Sequence, residues 1–536
     1  MLPEELMQHL RALNRLIYYV TDEEDRFLTD LPESIKKFSK QMWVFNSTMG
    51  LQPIETVIGD WTAHKHPENA DTMDANKVFK RIYTDDPRNA QNFYVILDPE
   101  RVFKDDNVCR RILNIIHQLH NDPKTIKILI FVGPRRAIPE KLARYMEVIY
   151  DKGLSNEQIL EIVEGTCSKL TSPETVVAAP PDAAQIFRGL TSWEIEMAIA
   201  HSISVTKKDP DPAKRFRIDP EIITAYRRRA LKKTDLVQYV DTSKFTFDQV
   251  GGASRFKDWV VKTAATWTER GRDYGLVPPK GVLAVGIWGC GKSLSVKAMG
   301  STWKLPVVSL EMGKLRGSLS GASENNVYAA INLIERVAPC IVWIDEAEKS
   351  LSGGQSSAQT DNGTTSRMIG ILSTWLQETN APICLALTAN SLSTLPIEFI
   401  NRMDERFFFD LPSKKDRIDI LKIHLGKIRQ DWRRFDLDAL ADRADNMVGR
   451  EIEQAIKAAL ADSFHANKPA LDYDLLKLQL VKKPRIFKTM VDEVEQLRAW
   501  VGYDKEADDG IRARYAAPPV HHNKAGGGNL QIVEGV

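Results

Sequence analysis

The stretch "GIWGCGKS" at residues 286–293 limits the possible folds of this 536-residue chain more than any other part of its sequence. It follows the apolar run "GVLAV" and leads into the helix-forming stretch "SLSVKAMGSTW", so it connects a predicted strand to a predicted helix. Glycines let backbone N–H groups converge on an anion, and a helix N-terminus adds its positive dipole. The pattern GxxxxGK[ST] therefore predicts a phosphate-binding loop made by Gly286, Gly289, Cys290, Gly291, Lys292, Ser293 and Leu294.

Two side chains at the end of this loop have separate expected roles. The Lys292 ammonium would reach the β- and γ-phosphates of a nucleotide, and the Ser293 hydroxyl would ligate Mg²⁺. ATP and Mg²⁺ are therefore the expected cofactors. A glycine-rich turn without a ligand is the alternative, and the strand, the helix and a matching acidic strand argue against it.

The run "CIVWIDEAEK" supplies that acidic strand, in which apolar residues lead into Asp345 and Glu346. We expect Asp345 to hold the water shell of the metal and Glu346 to polarise the water that attacks the γ-phosphate. Asn390, which ends the apolar run "CLALTAN", could hydrogen-bond the same water. The alternatives are a strand end with two solvated acids and an ordinary turn asparagine.

The composition argues against several classes of protein. The 73 Lys and Arg nearly cancel the 72 Asp and Glu, so the molecule as a whole has no field that attracts nucleic acid or anionic membrane. The five cysteines form no CxxC pair, which favours a reducing compartment. The sequence contains neither a signal-like N-terminus nor a run of about 18 apolar residues. We therefore expect a cytoplasmic protein, or a stromal one if the gene is plastid-encoded, that does not bind membranes.

The chain also contains an internal repeat. Apolar, β-branched runs alternate with segments of helical period, a pattern typical of parallel α/β layers. Three pairs of stretches recur in the same order at a near-constant offset: "YVILDPE" with "IVWIDEAE", "IKILIFVGP" with "ICLALTANS", and "LTSWEIEMAIAHSI" with "MVGREIEQAIKAAL". The repeat predicts two copies of one strand-rich and helical unit.

Several stretches together resemble the ATPase module of the AAA family: "FTFDQVGG", "GIWGCGKS", "SGASE", "APCIVWIDEAEK", "TTSRMIGILSTWLQE", "LALTAN" and "MDERFFFDLP". More narrowly, residues 10–465 are similar to the cyanobacterial and plastid group named for hypothetical chloroplast reading frame forty-six. In that group a degenerate AAA-like half precedes one active module, in agreement with the internal repeat. The expected fold class is α/β: a P-loop NTPase core of AAA type with a helical lid, preceded by a degenerate AAA-like domain.

The resemblance and the composition together divide the chain into five predicted parts. They are a degenerate domain at 1–205, a basic linker at 206–240, the ATPase core at 241–412, a helical lid at 413–470, and a partly disordered C-terminal extension at 471–536. The first half lacks GxxxxGK[ST], and "LDPE" puts Pro99 where a catalytic glutamate would stand. We therefore expect no ATP hydrolysis there.

The resemblance also implies roles for residues outside the phosphate loop. It puts the backbone of Val250 and Gly251 beside the adenine and His424 next to the nucleotide. Arg450 in "VGRE" falls near the sensor-two region of the lid. An ordinary structural role is the alternative for Arg450.

A homo-oligomeric ring, with six subunits as the expected number, is a further implication. Arg402 in "RMDE" falls at the position of an arginine finger that reaches a neighbouring subunit, or it is a structural surface arginine. Arg367 in "TTSRM" could lie at the same interface or simply on a helix surface.

Four features depart from the family pattern or stand apart from it. Leu319 and Ser320 in "SLSGASE" replace the aromatic pore residue of protein-threading machines, and "EFINRMDE" lacks a second finger arginine. The basic stretch 214–233 could touch phosphate backbones, although a solvated connecting helix is the plainer interpretation. Cys290 could sense oxidation or could simply fill the loop.

The leading functional hypothesis is Mg²⁺-dependent ATP hydrolysis that remodels or regulates an unidentified protein client. One alternative is a nucleotide-gated binding scaffold that ATP assembles and hydrolysis disassembles. The other is a nucleic-acid-stimulated motor that uses the basic stretch, and the balanced net charge does not favour it.

Overall fold

A computed structural model describes the chain over residues 2–35, 41–54, 57, 73–84, 92–121, 126–171, 176–208, 210–211, 215–232, 236–316, 322–351, 363–392, 395–485, 487 and 490–501. The chain divides into two compact units. The first comprises Met1–Leu236 and Gly317–Ala338, and the second comprises Val237–Arg316 and Pro339–Val536. Within the described ranges, no helix combines the length and the apolar character needed to cross a membrane.

The first unit contains a six-stranded sheet with the order β3-β2-β4-β5-β1-β6. Its neighbouring strands pair in parallel, except that β2 and β3 form an antiparallel hairpin. The strands are Leu16–Val20 (β1), Gln41–Asn46 (β2), Gly50–Pro53 (β3), Asn92–Leu97 (β4), Lys127–Gly133 (β5) and Glu147–Tyr150 (β6). The helices are Glu4–Arg11, Glu24–Ile35, Ala75–Thr84, Pro99–Val102, Asp106–Asn121, Glu140–Ala143, Asn156–Leu170, Ala183–Ile186, Ser192–Thr206, Pro220–Lys232 and Ala322–Val337.

Both faces of this sheet are buried, which explains the unbroken apolar runs of its central strands. Tyr18 of β1 belongs to the cluster on one face, whereas its neighbours Ile17 and Tyr19 belong to the cluster on the other. Alternate side chains of a strand point to opposite faces. A parallel sheet covered by helices on both faces therefore needs apolar residues at every position.

The second unit contains a six-stranded sheet with the order β12-β8-β11-β10-β9-β7, in which only β7 is antiparallel to its neighbour. The strands are Val237–Val240 (β7), Gly281–Gly286 (β8), Val307–Leu310 (β9), Cys340–Ile344 (β10), Ile383–Ala389 (β11) and Glu405–Phe409 (β12). The α-helices are Ser254–Thr263, Glu269–Asp273, Lys292–Trp303, Met312–Leu315, Ala347–Ser350, Thr364–Glu378, Ile397–Ile400, Lys414–Lys427, Leu437–Arg443, Gly449–His465, Tyr473–Lys482 and Val491–Val501. Short 3₁₀ helices span Phe247–Gln249, Ala264–Trp267 and Trp432–Arg434.

Five strands of the two sheets share one topology. The order β6-β1-β5-β4-β2 of the first unit corresponds strand by strand to β12-β8-β11-β10-β9 of the second. Each sheet also ends in one antiparallel edge strand, but β3 follows β2 in the chain whereas β7 precedes β8. The predicted fold class, an α/β ATPase-like core preceded by a related domain, is therefore confirmed. The helix Pro220–Lys232 lies inside the stretch predicted as a linker, and Ile223 is fully buried in the helical cluster of the first unit.

The turns that follow β4 and β10 both contain a left-handed residue before a four-residue helix. Asp98, the first residue after β4, has φ +52°, and Glu346, the second residue after β10, has φ +48°. Counted from the strand ends, Asp98 matches Asp345 and Pro99 matches Glu346, as in the sequence repeat, whereas by backbone conformation Asp98 matches Glu346. Aspartate tolerates this left-handed conformation better than most residues.

The turn after β1 differs most from its counterpart in the second unit. Only residues 21–23 separate β1 from the helix Glu24–Ile35, whereas residues 287–291 separate β8 from the helix Lys292–Trp303. Glu23 Oε1 accepts hydrogen bonds from the backbone N–H and the hydroxyl of Ser192, at 2.5 and 2.6 Å. A carboxylate of the chain itself thus satisfies the N-terminus of the helix Ser192–Thr206.

Arg26 holds this acidic turn together. Its guanidinium pairs with Glu23 at 3.2 Å and with Asp151 at 2.7 Å, and the side chains of both acids are less than a tenth exposed. Thr21 also donates to Asp151 at 2.6 Å. Both buried carboxylates therefore have a cation beside them, and Asp151 also has a hydrogen-bond donor. Buried charges are tolerated when they are paired in this way.

We predict that Arg26→Met lowers the free energy of unfolding of the first unit by about 3 kcal/mol, because it leaves two buried carboxylates without their cation. Arg11→Met, which removes a half-exposed ion pair with Glu4, is the matched control and should cost less than about 1 kcal/mol. Urea unfolding of the full chain, followed by circular dichroism, measures both. Equal midpoints for the two variants would contradict the role given to Arg26.

Candidate functional site

The phosphate loop begins where β8 passes very close to β12. Gly286 has φ +147°, and a Cβ built on it would lie 2.1 Å from the carbonyl oxygen of Phe409. Ile287 N donates to that same oxygen at 2.9 Å. Only glycine fits this position, because any side chain would collide with backbone that has no room to move. Gly289 and Gly291 also have left-handed φ values, +78° and +88°.

Lys292 lies beneath the loop and is almost completely buried. Its Nζ donates to the carbonyl oxygens of Gly286 and Ile287, at 2.8 and 2.9 Å. Burial lowers the pKa of the ammonium to about 8, against the opposing effect of nearby acids that include Glu348 and Asp345.

Ser293 and Asp345 meet across the ends of the loop and of β10. Ser293 Oγ donates to Asp345 Oδ1 at 2.9 Å, and Thr388 Oγ1 donates to the same oxygen. Glu346 N donates in turn to Thr388 Oγ1 at 3.3 Å. Thr388 of β11 thus ties the two acidic residues that follow β10 to the neighbouring strand.

These oxygens fit a magnesium ion. One hydroxyl and one carboxylate are the protein ligands that Mg²⁺ takes when phosphates and water complete its octahedron. Among the described residues there is no group of three or more His, Cys, Asp and Glu that could hold a metal by itself. The donor set at Ser293 and Asp345 therefore suits a metal that arrives with a nucleotide.

Glu346 and Asn390 have different partners. Glu346 forms an ion pair with Lys349 at 2.9 Å, in which both side chains are about half exposed or more. Asn390 Nδ2 donates to Glu348 Oε1 at 2.8 Å. Glu348 is a neighbour of the site residues that the sequence analysis did not single out. Its signal was present in "DEAE", which follows one strand, next to the strand that Asn390 follows.

A single cavity of about 980 Å³ brings most of the predicted site residues together. The residues that line it are Val250, Gly251, Gly289, Cys290, Gly291, Lys292, Ser293, Leu294, Asp345, Glu346, Asn390, His424 and Arg450. Gly286 and Arg402 do not line it. Gly286 still contributes, because its carbonyl oxygen binds Lys292.

One end of the cavity is formed by backbone that lies flat against the helix Lys414–Lys427. A Cβ on Gly251 would lie 2.3 Å from Ile420 Cγ1, and a Cβ on Gly252 would lie 2.9 Å from Asp416 Cγ. Lys257 Nζ donates to the Val250 carbonyl at 2.6 Å, a contact that the sequence analysis did not foresee. The glycine pair lets the chain approach the lid closely.

Two helices of the lid, Lys414–Lys427 and Gly449–His465, supply His424 and Arg450 to the cavity. Burial lowers the pKa of His424, although Glu453 acts in the other direction, so the imidazole is neutral at pH 7. Arg450 N donates to the Gly289 carbonyl at 3.3 Å. The first turn of the helix Gly449–His465 is therefore bound directly to the phosphate loop.

The remaining predicted residues lie elsewhere. Arg402 Nε donates to the Ser373 carbonyl at 3.2 Å, and its Nη2 donates to Gln377 Oε1 at 3.0 Å, so it lies along the helix Thr364–Glu378. Arg367 is exposed on that helix. Leu319 and Ser320 lie outside the described residues.

Burial also bears on the hypothesis that Cys290 senses oxidation. Burial raises the pKa of the Cys290 thiol to about 12, although Lys292 acts in the other direction. The thiolate is the reactive form, so the raised pKa favours the loop-filling interpretation. Cys290 is partly buried and lines the cavity, and its role stays a prediction.

A glycine loop over a buried lysine, followed by a helix and flanked by an acidic strand, defines a P-loop nucleotide-binding module. Residues 282–411 match the model of the ATPase family associated with various cellular activities (AAA). Residues 2–150 match the model of the SpoVK-like AAA ATPase N-terminal domain. The SpoVK-like match lies in the first unit, and the AAA match lies in the second except for residues 317–338, which belong to the first.

Relatives extend the match to most of the chain. The AAA domain-containing protein ycf46 of Guillardia theta is 31% identical over 508 residues, covering 92% of this chain and 94% of that protein. The ycf46 protein of Trieres chinensis is 29% identical over 86% of this chain and 89% of its own length. That of Pyropia yezoensis is 39% identical over 52% of this chain and 57% of its own. This chain therefore belongs to the AAA family, in the group of ycf46 proteins, as its motifs indicated.

The lowered pKa of Lys292 predicts a nucleotide affinity that depends on pH. The ammonium would attract phosphate and the neutral amine would not, so we expect the contribution of Lys292 to be complete well below pH 8 and to be lost as the pH rises through that value. We expect ATP to bind about tenfold more weakly at pH 9 than at pH 7. Calorimetry in two buffers of different ionisation enthalpy should also detect proton uptake at pH 8.5. An ATP affinity that stays constant over this pH range, with no proton uptake, would contradict the role of Lys292 in ATP binding.

Proposed function

We propose that the second unit hydrolyses ATP with Mg²⁺, and that turnover remodels or regulates a protein client. The observation that carries the proposal is the meeting of Lys292, Ser293, Asp345 and Glu346 around one cavity of about 980 Å³. Membership of the AAA family supports ATPase activity in general. The specific residues and the coupling to a client belong to the proposal.

In this proposal the adenine lies against the backbone of Val250 and Gly251, and the phosphates follow the loop towards Ser293. Backbone N–H groups of the loop and the Lys292 ammonium bind the phosphate oxygens. Ser293 Oγ and Asp345 Oδ1 would hold the magnesium ion, which when bound neutralises charge on the β- and γ-phosphates.

Glu346 orients the attacking water. Its ion pair with Lys349 is exposed, so it is weak and can open at little cost when the nucleotide arrives. Its left-handed φ of +48° is the kind of backbone strain that persists at functional sites. Asn390 fixes Glu348 and lines the same cavity, where it can also bind the water.

The first unit, by the same reasoning, does not hydrolyse ATP. The turn 21–23 is shorter than the phosphate loop and is acidic, and Glu23 already binds the helix N-terminus that faces it. A triphosphate would meet like charge in the first unit, where the second presents a lysine and N–H groups.

The proposal includes a homo-oligomeric ring, with six subunits as the expected number. Arg402 lies along a helix of its own chain and does not line its own cavity, which suits a residue that acts on a neighbouring subunit. Closed rings place the same surface of each subunit against the next. The proposed location is the cytoplasm, or the stroma for a plastid-encoded protein.

Stimulation of turnover separates this proposal from its alternatives. ATPase rates of the full chain should rise with a protein client and should not change with DNA or RNA. Stimulation by nucleic acid would favour the motor. A rate unaffected by any partner, together with ATP-dependent assembly, would favour the scaffold.

We predict that Glu346→Gln binds ATP normally and loses almost all turnover, whereas Lys292→Ala loses binding as well. The first change removes the group that orients water, and the second removes the cation under the phosphates. Glu378→Gln, an exposed acid at the end of the helix Thr364–Glu378, is the matched control and should remain active. Nucleotide calorimetry and phosphate release measure both steps. Full activity of Glu346→Gln would remove Glu346 from the mechanism, and residual ATP binding by Lys292→Ala would point to the first unit.

We further predict that Arg402→Ala binds ATP normally and hydrolyses it about 10³-fold more slowly, the lower end of the effect of an arginine finger. Mixing this variant with Lys292→Ala should restore part of the activity, because some sites then combine an intact loop with an intact neighbouring arginine. Phosphate release from the mixture, with subunit exchange followed by fluorescence transfer, is the measurement. Exchange without recovered activity would exclude the action of Arg402 in trans.

A further inference from the structure

The helix Val491–Val501, which lies outside the matched AAA region, packs against the back of the phosphate loop. Val494 is almost completely buried in one apolar cluster with Ile287 and Val448, and Cys290 and Leu411 pack against that cluster. Ile287 is the first residue of the loop after Gly286. Val448 immediately precedes the lid helix Gly449–His465. A single turn of this C-terminal helix thus contacts the loop and the base of the lid together.

Arg498 of the same helix forms a bidentate ion pair with Asp410. Its Nε donates to Asp410 Oδ2 at 3.1 Å, and its Nη2 donates to Oδ1 at 2.9 Å. The side chains are 14% and 3% exposed, so the pair is largely shielded from water. Asp410 follows the last residue of β12 and lines the cavity, and its Oδ1 also accepts the N–H of Leu411 at 2.7 Å.

A short series of contacts connects this ion pair to Lys292. Asp410 is bonded to Phe409, whose carbonyl oxygen accepts the N–H of Ile287 at 2.9 Å. The carbonyl oxygen of Ile287 in turn accepts a hydrogen bond from Lys292 Nζ at 2.9 Å. Because Gly286 leaves no free space at Phe409, a shift of this strand end moves the loop with it.

We propose that Arg498 is a positioning residue of the nucleotide site. By holding Asp410, it sets the position of the β12 end, and through it the position of the phosphate loop and of Lys292. Val494 does the same for the base of the lid. The inference rests on the proposed ATPase function, and it extends the site to a helix that touches none of the reacting atoms.

Arginine suits this role for a geometric reason. Its planar fork binds both carboxylate oxygens of Asp410 at once and so fixes the carboxylate in orientation as well as in position. Lysine keeps the charge but presents a point cation, which leaves the carboxylate free to rotate. Charge alone is therefore insufficient, and the two substitutions Arg498→Lys and Arg498→Met should differ in degree.

The test uses the full chain and four variants: Arg498→Met, Arg498→Lys, the double variant Arg498→Met with Asp410→Asn, and Arg433→Met. Arg433 is an exposed arginine of the lid with one ion pair to Asp431, and it is the matched control. For each protein, ATP affinity, KM, kcat and the rise in melting temperature caused by ATP are measured. A purely structural role would lower the melting temperature equally with and without ATP.

We expect Arg498→Met to lower kcat/KM by about 100-fold, the effect of a displacement of about 1 Å at a catalytic centre, and to reduce the thermal shift caused by ATP. Arg498→Lys should lie between Arg498→Met and the unmodified chain. The double variant should recover part of the loss, because no unpaired carboxylate remains to pull the strand end towards solvent.

Two outcomes separate the possible failures. If the unmodified chain hydrolyses ATP and folded Arg498→Met matches Arg433→Met in kcat, KM and thermal shift, the positioning role is wrong and the proposed function stands. If the unmodified chain neither binds nor hydrolyses ATP, the proposed function fails and the inference fails with it. Where Arg498→Met does not fold, Arg498→Lys decides, and kinetic constants equal to those of Arg433→Met would overturn the role.

Discussion

The close contact between Gly286 and the carbonyl oxygen of Phe409 is the constraint on which the second unit depends. It places the end of β8 directly against the end of β12, and the hydrogen bond from Ile287 then fixes the start of the phosphate loop. From there the loop covers Lys292, and the first residues of the helix Lys292–Trp303 line the cavity. The site is thus built outward from one backbone contact that only glycine allows.

The two units carry the same sheet with opposite chemistry at the same turn. In the second unit, glycines and a lysine follow the strand, and a cavity of about 980 Å³ opens between the core and the lid. In the first, an acidic turn follows the equivalent strand, and Glu23 accepts hydrogen bonds from Ser192 at the N-terminus of a helix. A helix N-terminus attracts an anion, and in the first unit the anion is a side chain of the protein itself.

Much of the site could be predicted because its main parts are contiguous in sequence. The loop, the acidic strand and Asn390 can each be recognised from a stretch of a few residues. The parallel sheet then brings the ends of their strands together at one edge. Residue types alone could not show that the left-handed residue is the first after β4 (Asp98) but the second after β10 (Glu346). Glu348 was overlooked because its partner, Asn390, follows another strand.

The sequence by itself determined the fold class, the phosphate loop and the acidic residues. These features depend on local periodicity and on motif residues that are close together in the chain at a fixed spacing. Only the tertiary structure decided which distant side chains meet. Arg498 and Asp410 form an ion pair although they are far apart in sequence. Arg402 lies against the helix Thr364–Glu378 and does not line the cavity. Such contacts depend on how the sheet, the lid and the C-terminal helix pack against one another, and local sequence patterns do not predict that packing.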